Sequence, residues 1–182
     1  MRLFIALDLH SENKKRLDEL IKTLTKQGWR GRGTPLENHH LTLAFIGESD
    51  DIPSLRRCLD QAAGPAFYVS AAGLSRFRRA GGDILWLGLR QEPELSALQR
   101  RLTDCLRAAG FPVEKRPFRP HLTLMRDAAE PDGFYARCFP CAGPVLRQRV
   151  DKISLMKSER RDGRIVYTEL YAAALGSPRA AG

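Results

Sequence analysis

The tetrapeptide His-Leu-Thr-Leu occupies positions 40–43 and recurs at 121–124, in a chain of 182 residues that holds only four histidines. In an extended strand, residues i and i+2 point to the same face. Each copy therefore presents an imidazole beside a threonine hydroxyl and turns two leucines the other way. Two imidazoles that meet can act as general acid and general base near neutral pH, because the free group titrates at about 6.5. Such a pair suits in-line displacement at phosphorus. One imidazole takes a proton from water, and the other gives a proton to the leaving oxygen. Thr42 and Thr123, sharing those faces, can donate hydrogen bonds to the non-bridging oxygens as charge builds on them. The scheme needs no metal and no cofactor. Metal ligation is the rival use of two histidines, but neither motif strand carries an Asp or Glu in register with them, so it is the weaker reading. With four His and seven Thr, about 0.15 His-x-Thr triplets are expected by chance, so two copies with matching leucines are not an accident.

The copies stand 81 residues apart, and the elements around them repeat as well. Arg2–Asp8 reads as a strand, followed by Ser11 at a helix N-cap and by Leu17, Leu20, Ile21 and Leu24 at helical spacing. Gly28 stops that helix, Gly31–Pro35 reads as a loop, and Glu37–Gly47 carries the first motif on a strand. Pro53–Ala63 is a second helix and Phe67–Leu74 a strand. The second half returns to the same order: strand Ile84–Leu89, helix Pro93–Ala109 stopped by Gly110, and strand Arg119–Arg126 with the second motif. A shift of 81 lays Leu17 on Leu98, Ile21 on Leu102, Leu24 on Cys105, and Phe4 and Ile5 on Leu85 and Trp86. The expected fold is α+β and bilobal: two pseudo-symmetric β-α-β lobes whose antiparallel sheets face a central cleft. The repeat ends before two strand-like runs, Val150–Lys157 and Arg164–Leu175, with Asp162-Gly163 between them as a hairpin turn. Residues 1–175 form one interleaved bilobal domain in this reading, and 176–182 a frayed tail.

The chain is long enough for a sizeable core. Its 43% hydrophobic and 28% charged content are those of an ordinary globular protein. No apolar run approaches the roughly 20 residues of a membrane helix, and Asp8 interrupts the short run Leu3–Leu7, so a cytoplasmic protein without a membrane partner is expected. The net charge is +9, carried by 23 Arg against 7 Lys. Guanidinium pairs with phosphate oxygens in two places at once, so this bias fits a polyanionic partner such as RNA, though a GC-rich genome would produce it equally well. Cys138 and Cys141 form a C-x-x-C, but Cys58 and Cys105 complete no ligand set, so these read as reduced thiols.

His39 points with Leu41 and Leu43 toward the core and is read as structural; His10 lies in an exposed loop. Arg126 follows His121 by five residues. Strict alternation places it off the His/Thr face, though a strand end can twist. Phe77, Phe118 and Tyr167 are aromatic residues that could stack on an unpaired base, although each type is more often core.

These features together resemble a known family. The opening Arg-Leu-Phe-Ile-Ala-Leu-Asp-Leu, the stretch His-Leu-Thr-Leu-Ala-Phe-Ile-Gly-Glu and the run Arg-Pro-Phe-Arg-Pro-His-Leu-Thr-Leu-Met-Arg-Asp are similar to the two-histidine phosphoesterase superfamily. Within it they look most like the LigT-like branch, the RNA 2',3'-cyclic phosphodiesterases once called 2'-5' RNA ligases. The resemblance spans Arg2 to Leu175. It implies a two-lobed fold without metal or nucleotide cofactor, acting on RNA with a 2',3'-cyclic phosphate end or on a cyclic nucleotide, and leaving a 2'-phosphomonoester. It also implies that His40 is the proton donor to the leaving 3'-oxygen, His121 the acceptor that activates water, and Thr42, Thr123 and Arg126 the phosphate binders. The near-symmetry of the motifs leaves the acid/base assignment to the resemblance alone. Two other outcomes stay open: 2'-5' ligation by the reverse reaction, and an RNA-binding module without turnover. A cleft enzyme of this size is expected to be a monomer.

Overall fold

A computed structural model describes residues 1–114, 116–131 and 146–176. Its elements are β1 (Arg2–Asp8), α1 (Ser11–Lys26), β2 (Arg30–Gly33), a 3-10 turn (Leu36–Asn38), β3 (His40–Glu48), α2 (Ile52–Ala62), β4 (Phe67–Phe77), β5 (Asp83–Leu89), α3 (Pro93–Ala108), β6 (His121–Ala129), β7 (Arg147–Val150), β8 (Lys152–Arg161) and β9 (Arg164–Ala174). The strands run β7-β4-β5-β6-β3-β1-β8-β9, with β2 added on β6. Every pairing is antiparallel.

That order is symmetric about its middle. β6 answers β3, β5 answers β1, β4 answers β8 and β7 answers β9. The two motif strands meet at the centre through one Cα pair, Leu41 with Leu122, and these residues are themselves 81 apart. The halves thus join into one curled sheet rather than two separate ones, and the join lies between the motifs. Both leucines are almost fully buried, so truncating either to Ala costs about 2–5 kcal/mol at the axis.

The three helices cover the face that receives the leucines. Leu17, Ile21 and Leu24 of α1, Leu55, Cys58 and Leu59 of α2, and Leu95, Leu98, Leu102 and Leu106 of α3 join Leu3, Ile5, Leu7, Leu85 and Leu87 in one core. α1 touches β6 and α3 touches β3, so each half's helix reaches the other half's motif strand. Asn13 is the buried polar exception on α1; its amide donates to Gln148 Oε1 at 3.2 Å, which satisfies it.

Several boundaries differ from the sequence reading. Ser11 is the first helical residue, and His10 holds the cap position without a side-chain bond. The Gly31–Pro35 loop is in part strand β2. The first motif strand starts at His40, since Leu36–Asn38 form the 3-10 turn. β4 runs on to Phe77, and the run from Val150 splits into β7 and β8. The repeat is also not a uniform 81. Ala6 stands opposite Thr42 and Trp86 opposite Thr123, which makes β1 and β5 equivalent at a shift of 80. Leu24 finds its buried counterpart in Leu106 rather than in half-buried Cys105. The Asp162-Gly163 turn closes β8 on β9 with φ of 47° and 78°, the left-handed pair that a two-residue hairpin requires. Cys138, Cys141 and the tail from 177 lie outside the described residues, while Gly176 ends them in a bend.

Candidate active site

Strand pleating separates the two faces of each motif. Leu41, Leu43, Leu122 and Leu124 are buried in the core, while His40, Thr42, His121 and Thr123 are half-buried on the opposite face. Continuing the antiparallel ladder one residue either side of Leu41 and Leu122 sets His40 across from Thr123 and Thr42 across from His121. Each imidazole faces the other motif's hydroxyl. The two histidines then lie on the diagonal, where Cα atoms of a regular ladder are about 7–8 Å apart. That spacing leaves room for a phosphoryl group between the rings.

The imidazoles are held alike. His40 Nδ1 meets the Asn38 carbonyl at 2.8 Å, and His121 Nδ1 meets the Arg119 carbonyl at 2.7 Å. In each case the carbonyl belongs to the residue two positions earlier. A carbonyl can only accept, so Nδ1 carries the proton in both rings and Nε2 is the atom that exchanges one. The Thr42 hydroxyl lies 3.0 Å from His40 Nε2 and donates to it when that ring is neutral. Rings wall both imidazoles. Phe4 packs at 4.9 Å and Tyr167 edge-on at 5.1 Å against His40; Phe77 stands edge-on at 5.1 Å and Trp86 at 5.7 Å from His121. Gly88 makes room for this wall: a Cβ there would come within 3.1 Å of the Trp86 ring and 3.3 Å of the Gly73 carbonyl.

Burial lowers the pKa of both histidines below the ordinary imidazole value. The carbonyl behind each ring works in the opposite direction. The charge of Arg126 depresses both, and it also acts on the Tyr167 hydroxyl, whose pKa burial raises. One guanidinium charge therefore acts on both imidazoles.

Arg126 should face away by strict alternation, and a bulge is the reason it does not. Trp86 pairs with Thr123 but Leu85 with Met125, leaving Leu124 as an extra residue. Leu124 and Met125 are consecutively buried, parity flips, and Arg126 emerges on the exposed side with the histidines. β3 repeats the device. Ala6 pairs with Thr42 and Ile5 with Ala44, so Leu43, which corresponds to Leu124, is the extra residue there. The position equivalent to Arg126 is then Phe45, which pairs with Phe4 and is 59% exposed.

A family of proteins resembles this chain in sequence and fold. The model of the 2'-5' RNA ligase superfamily matches residues 10–162. The chain belongs to the 2'-5' RNA ligase superfamily. Among relatives of that kind, the RNA 2',3'-cyclic phosphodiesterase of Thermotoga maritima is 31% identical over 94% of each chain, and that of Escherichia coli K12 is 31% identical over 96% of each. The crystal structure of E. coli LigT complexed with 3'-AMP superposes with a TM-score of 0.83 at 31% identity, covering 97% of this chain and 98% of that one.

Within this superfamily member, the fold gathers six of the eight residues singled out from sequence: His40, His121, Thr42, Thr123, Tyr167 and Phe77, with Arg126 beside them through the bulge. Phe118 is the exception. It is packed against the core, and its carbonyl accepts from Gln91 Nε2 at 3.1 Å, so it belongs to the scaffold. Two residues escaped the sequence reading. Phe45 was hidden by the assumed parity. Asp8 lies on β1 directly opposite His40, where its carboxylate favours the charged imidazole and is itself paired with Lys14 at 2.7 Å. Gly88 holds the matching place opposite His121. No local motif marks either residue; only cross-strand register does.

Proposed function

We propose that this chain is a metal-independent RNA 2',3'-cyclic phosphodiesterase. It hydrolyses the terminal cyclic phosphodiester of RNA, or of a cyclic nucleotide, to a 2'-phosphomonoester. The reading is carried by the paired Nε2 atoms: two imidazoles on one face, each with Nδ1 tied to a carbonyl, so that each ring exchanges protons through the same exposed nitrogen. Water attacks phosphorus and gives its proton to His121 Nε2. The phosphorus–O3' bond breaks, and O3' takes the proton of His40 Nε2. Thr42, Thr123 and Arg126 stabilise the charge on the non-bridging oxygens. The names of the relatives support the substrate class.

The acid/base assignment has an electrostatic support as well. The two rings differ in their charged neighbours: His40 faces the Asp8 carboxylate across the ladder, which favours its charged form, while the Lys14 ammonium paired with Asp8 acts against it. The Asp8 charge thus supports a protonated His40, the donor, against the burial that lowers its pKa. The bound phosphate anion raises both imidazole pKa values from their lowered resting state, which supplies the protonated acid. Phe45 offers an open aromatic face for the terminal base. Residues 1–175 act as one catalytic unit in this reading, since each half supplies one His/Thr pair, and the enzyme works as a cytoplasmic monomer.

Hydrolysis of a nucleoside 2',3'-cyclic phosphate with product mapping tests this directly. The 2'-phosphate should accumulate, His40→Ala and His121→Ala should each lose at least a thousandfold in kcat, and EDTA should change nothing. A 3'-phosphate product would reverse the leaving group, and loss of activity in EDTA restored by zinc would overturn the metal-free scheme. A 5'-hydroxyl oligonucleotide in the same mixture separates hydrolysis from ligation, since only the latter joins the two strands.

A further inference from the structure

The edge strand β2 reads Arg30-Gly31-Arg32-Gly33, and all four residues are exposed. Its glycines face the core side. A Cβ on Gly33 would meet Ile21 at 3.1 Å, and one on Gly31 would overlap Met125 and the Arg126 carbonyl at 2.8 Å. Ile21 and Met125 are core residues. Arg32 therefore stands on the other face, beside Arg126, and Arg30 follows it across a register shift in the ladder. Register completes the picture: Arg32 pairs with Arg126, and Arg30 with Ala129. Three arginines thus run outward from the paired imidazoles along one edge.

Nothing in the hydrolysis of a mononucleotide requires Arg30 or Arg32. Asp127 takes Arg32 Nε at 2.7 Å and Nη2 at 2.6 Å, which fixes the guanidinium beside Arg126. Asp127 itself has a φ of 52°, in the left-handed region. The stripe also breaks the internal symmetry. Residues 111–114, which a shift of 81 lays on β2, read Phe-Pro-Val-Glu and form no strand. A cationic edge strand therefore exists on the Arg126 side, and among the described residues no strand answers β2 in the other half.

We propose that Arg32 and then Arg30 bind the backbone phosphates one and two nucleotides upstream of the cyclic end, so that the enzyme acts on single-stranded RNA termini in preference to cyclic mononucleotides. This deepens the phosphodiesterase reading and rests on it. Exposed guanidinium groups spaced along a strand suit a chain of phosphodiesters and read no base, so the preference depends on length and not on sequence.

The test compares a nucleoside 2',3'-cyclic phosphate with a dinucleotide and a trinucleotide that end in the same group. One charge-assisted contact should raise kcat/KM roughly tenfold from mononucleotide to dinucleotide. Arg32→Gln should remove most of that gain and change the mononucleotide value less than twofold. Arg30→Gln should act only on the trinucleotide. The salt dependence of dinucleotide kcat/KM should flatten in Arg32→Gln by a slope of about 0.7, the single-strand value for one phosphate. No length advantage in the wild type, or equal losses on all three substrates, would overturn the proposal. If the wild type hydrolyses none of them, the phosphodiesterase reading fails instead. Fluorescence anisotropy of a 5'-labelled trinucleotide with a 2'-phosphate end then decides the stripe on its own: binding weakened by Arg32→Gln supports it, and unchanged binding refutes it.

Discussion

His39 stands beside His40, the proposed acid, yet it faces the core, and acid stability measures the difference. The side chain is 1% exposed, and neither ring nitrogen meets a hydrogen-bond partner among the described residues. The Thr123 main chain comes near enough to favour the charged ring slightly, at a geometry that falls short of a hydrogen bond. Burial dominates, and together with the Lys14 and His40 charges it outweighs Asp18 to lower the pKa to about 4. In the unfolded chain the same group titrates at about 6.5. The folded state therefore refuses a proton that the unfolded state accepts, and stability falls as pH drops through the window from about 6.5 to about 4. The linkage amounts to about 2 kcal/mol at pH 5 and approaches about 3.4 kcal/mol below pH 4. His39→Leu removes this titration and keeps an apolar side chain in the site. At pH 7 the variant should be as stable as the wild type or more so, because a buried polar group without a partner is gone. Urea unfolding at pH 7 and pH 5 gives the comparison: the wild type should lose about 2 kcal/mol more than His39→Leu between them. Carboxylates and the other histidines titrate in both proteins and cancel. An unchanged pH slope in His39→Leu would refute the reasoning, because it would mean that His39 titrates as a solvated group. Hydrolysis at pH 7 should stay within a factor of about three, since the Asn38 carbonyl, not His39, orients His40.

Other perturbations read the site itself. Arg126→Gln should lower kcat/KM by roughly a hundredfold or more, as expected for removing one charged donor to the phosphoryl oxygens, in a steady-state assay on a cyclic nucleotide. Asp8→Asn should move the basic limb of the kcat/KM profile down by about half a pH unit, the effect of one charge a cross-strand spacing away in a water-like medium, and leave the acidic limb in place. Phe45→Ala should raise KM for purine cyclic nucleotides by about five- to tenfold with kcat nearly unchanged, the signature of a lost stacking contact. Leu122→Ala should cost about 2–5 kcal/mol in unfolding free energy, because the cavity opens where the two halves join.

The residue types in the chain were enough to propose a chemistry. Paired His-x-Thr units in a histidine-poor sequence single out two imidazoles and two hydroxyls as candidates, because the strand period of two is a local property that binds i to i+2. The same period separates His40 from His39. Apolar spacing likewise gives the three helices and most strands, since amphipathic faces are written in sequence before anything packs. What lies one strand over is not local. The bulges at Leu43 and Leu124 exist because β1 and β5 pair with β3 and β6 in a curled sheet, and an extra residue there reverses parity for everything beyond it. That reversal, invisible to alternation, turns Arg126 and Phe45 to the face that carries the histidines. Asp8 meets His40 only through register, and β2 becomes a strand only because β6 offers it an edge. The repeated motif specified which atoms could exchange protons; the closing of the sheet decided what surrounds them.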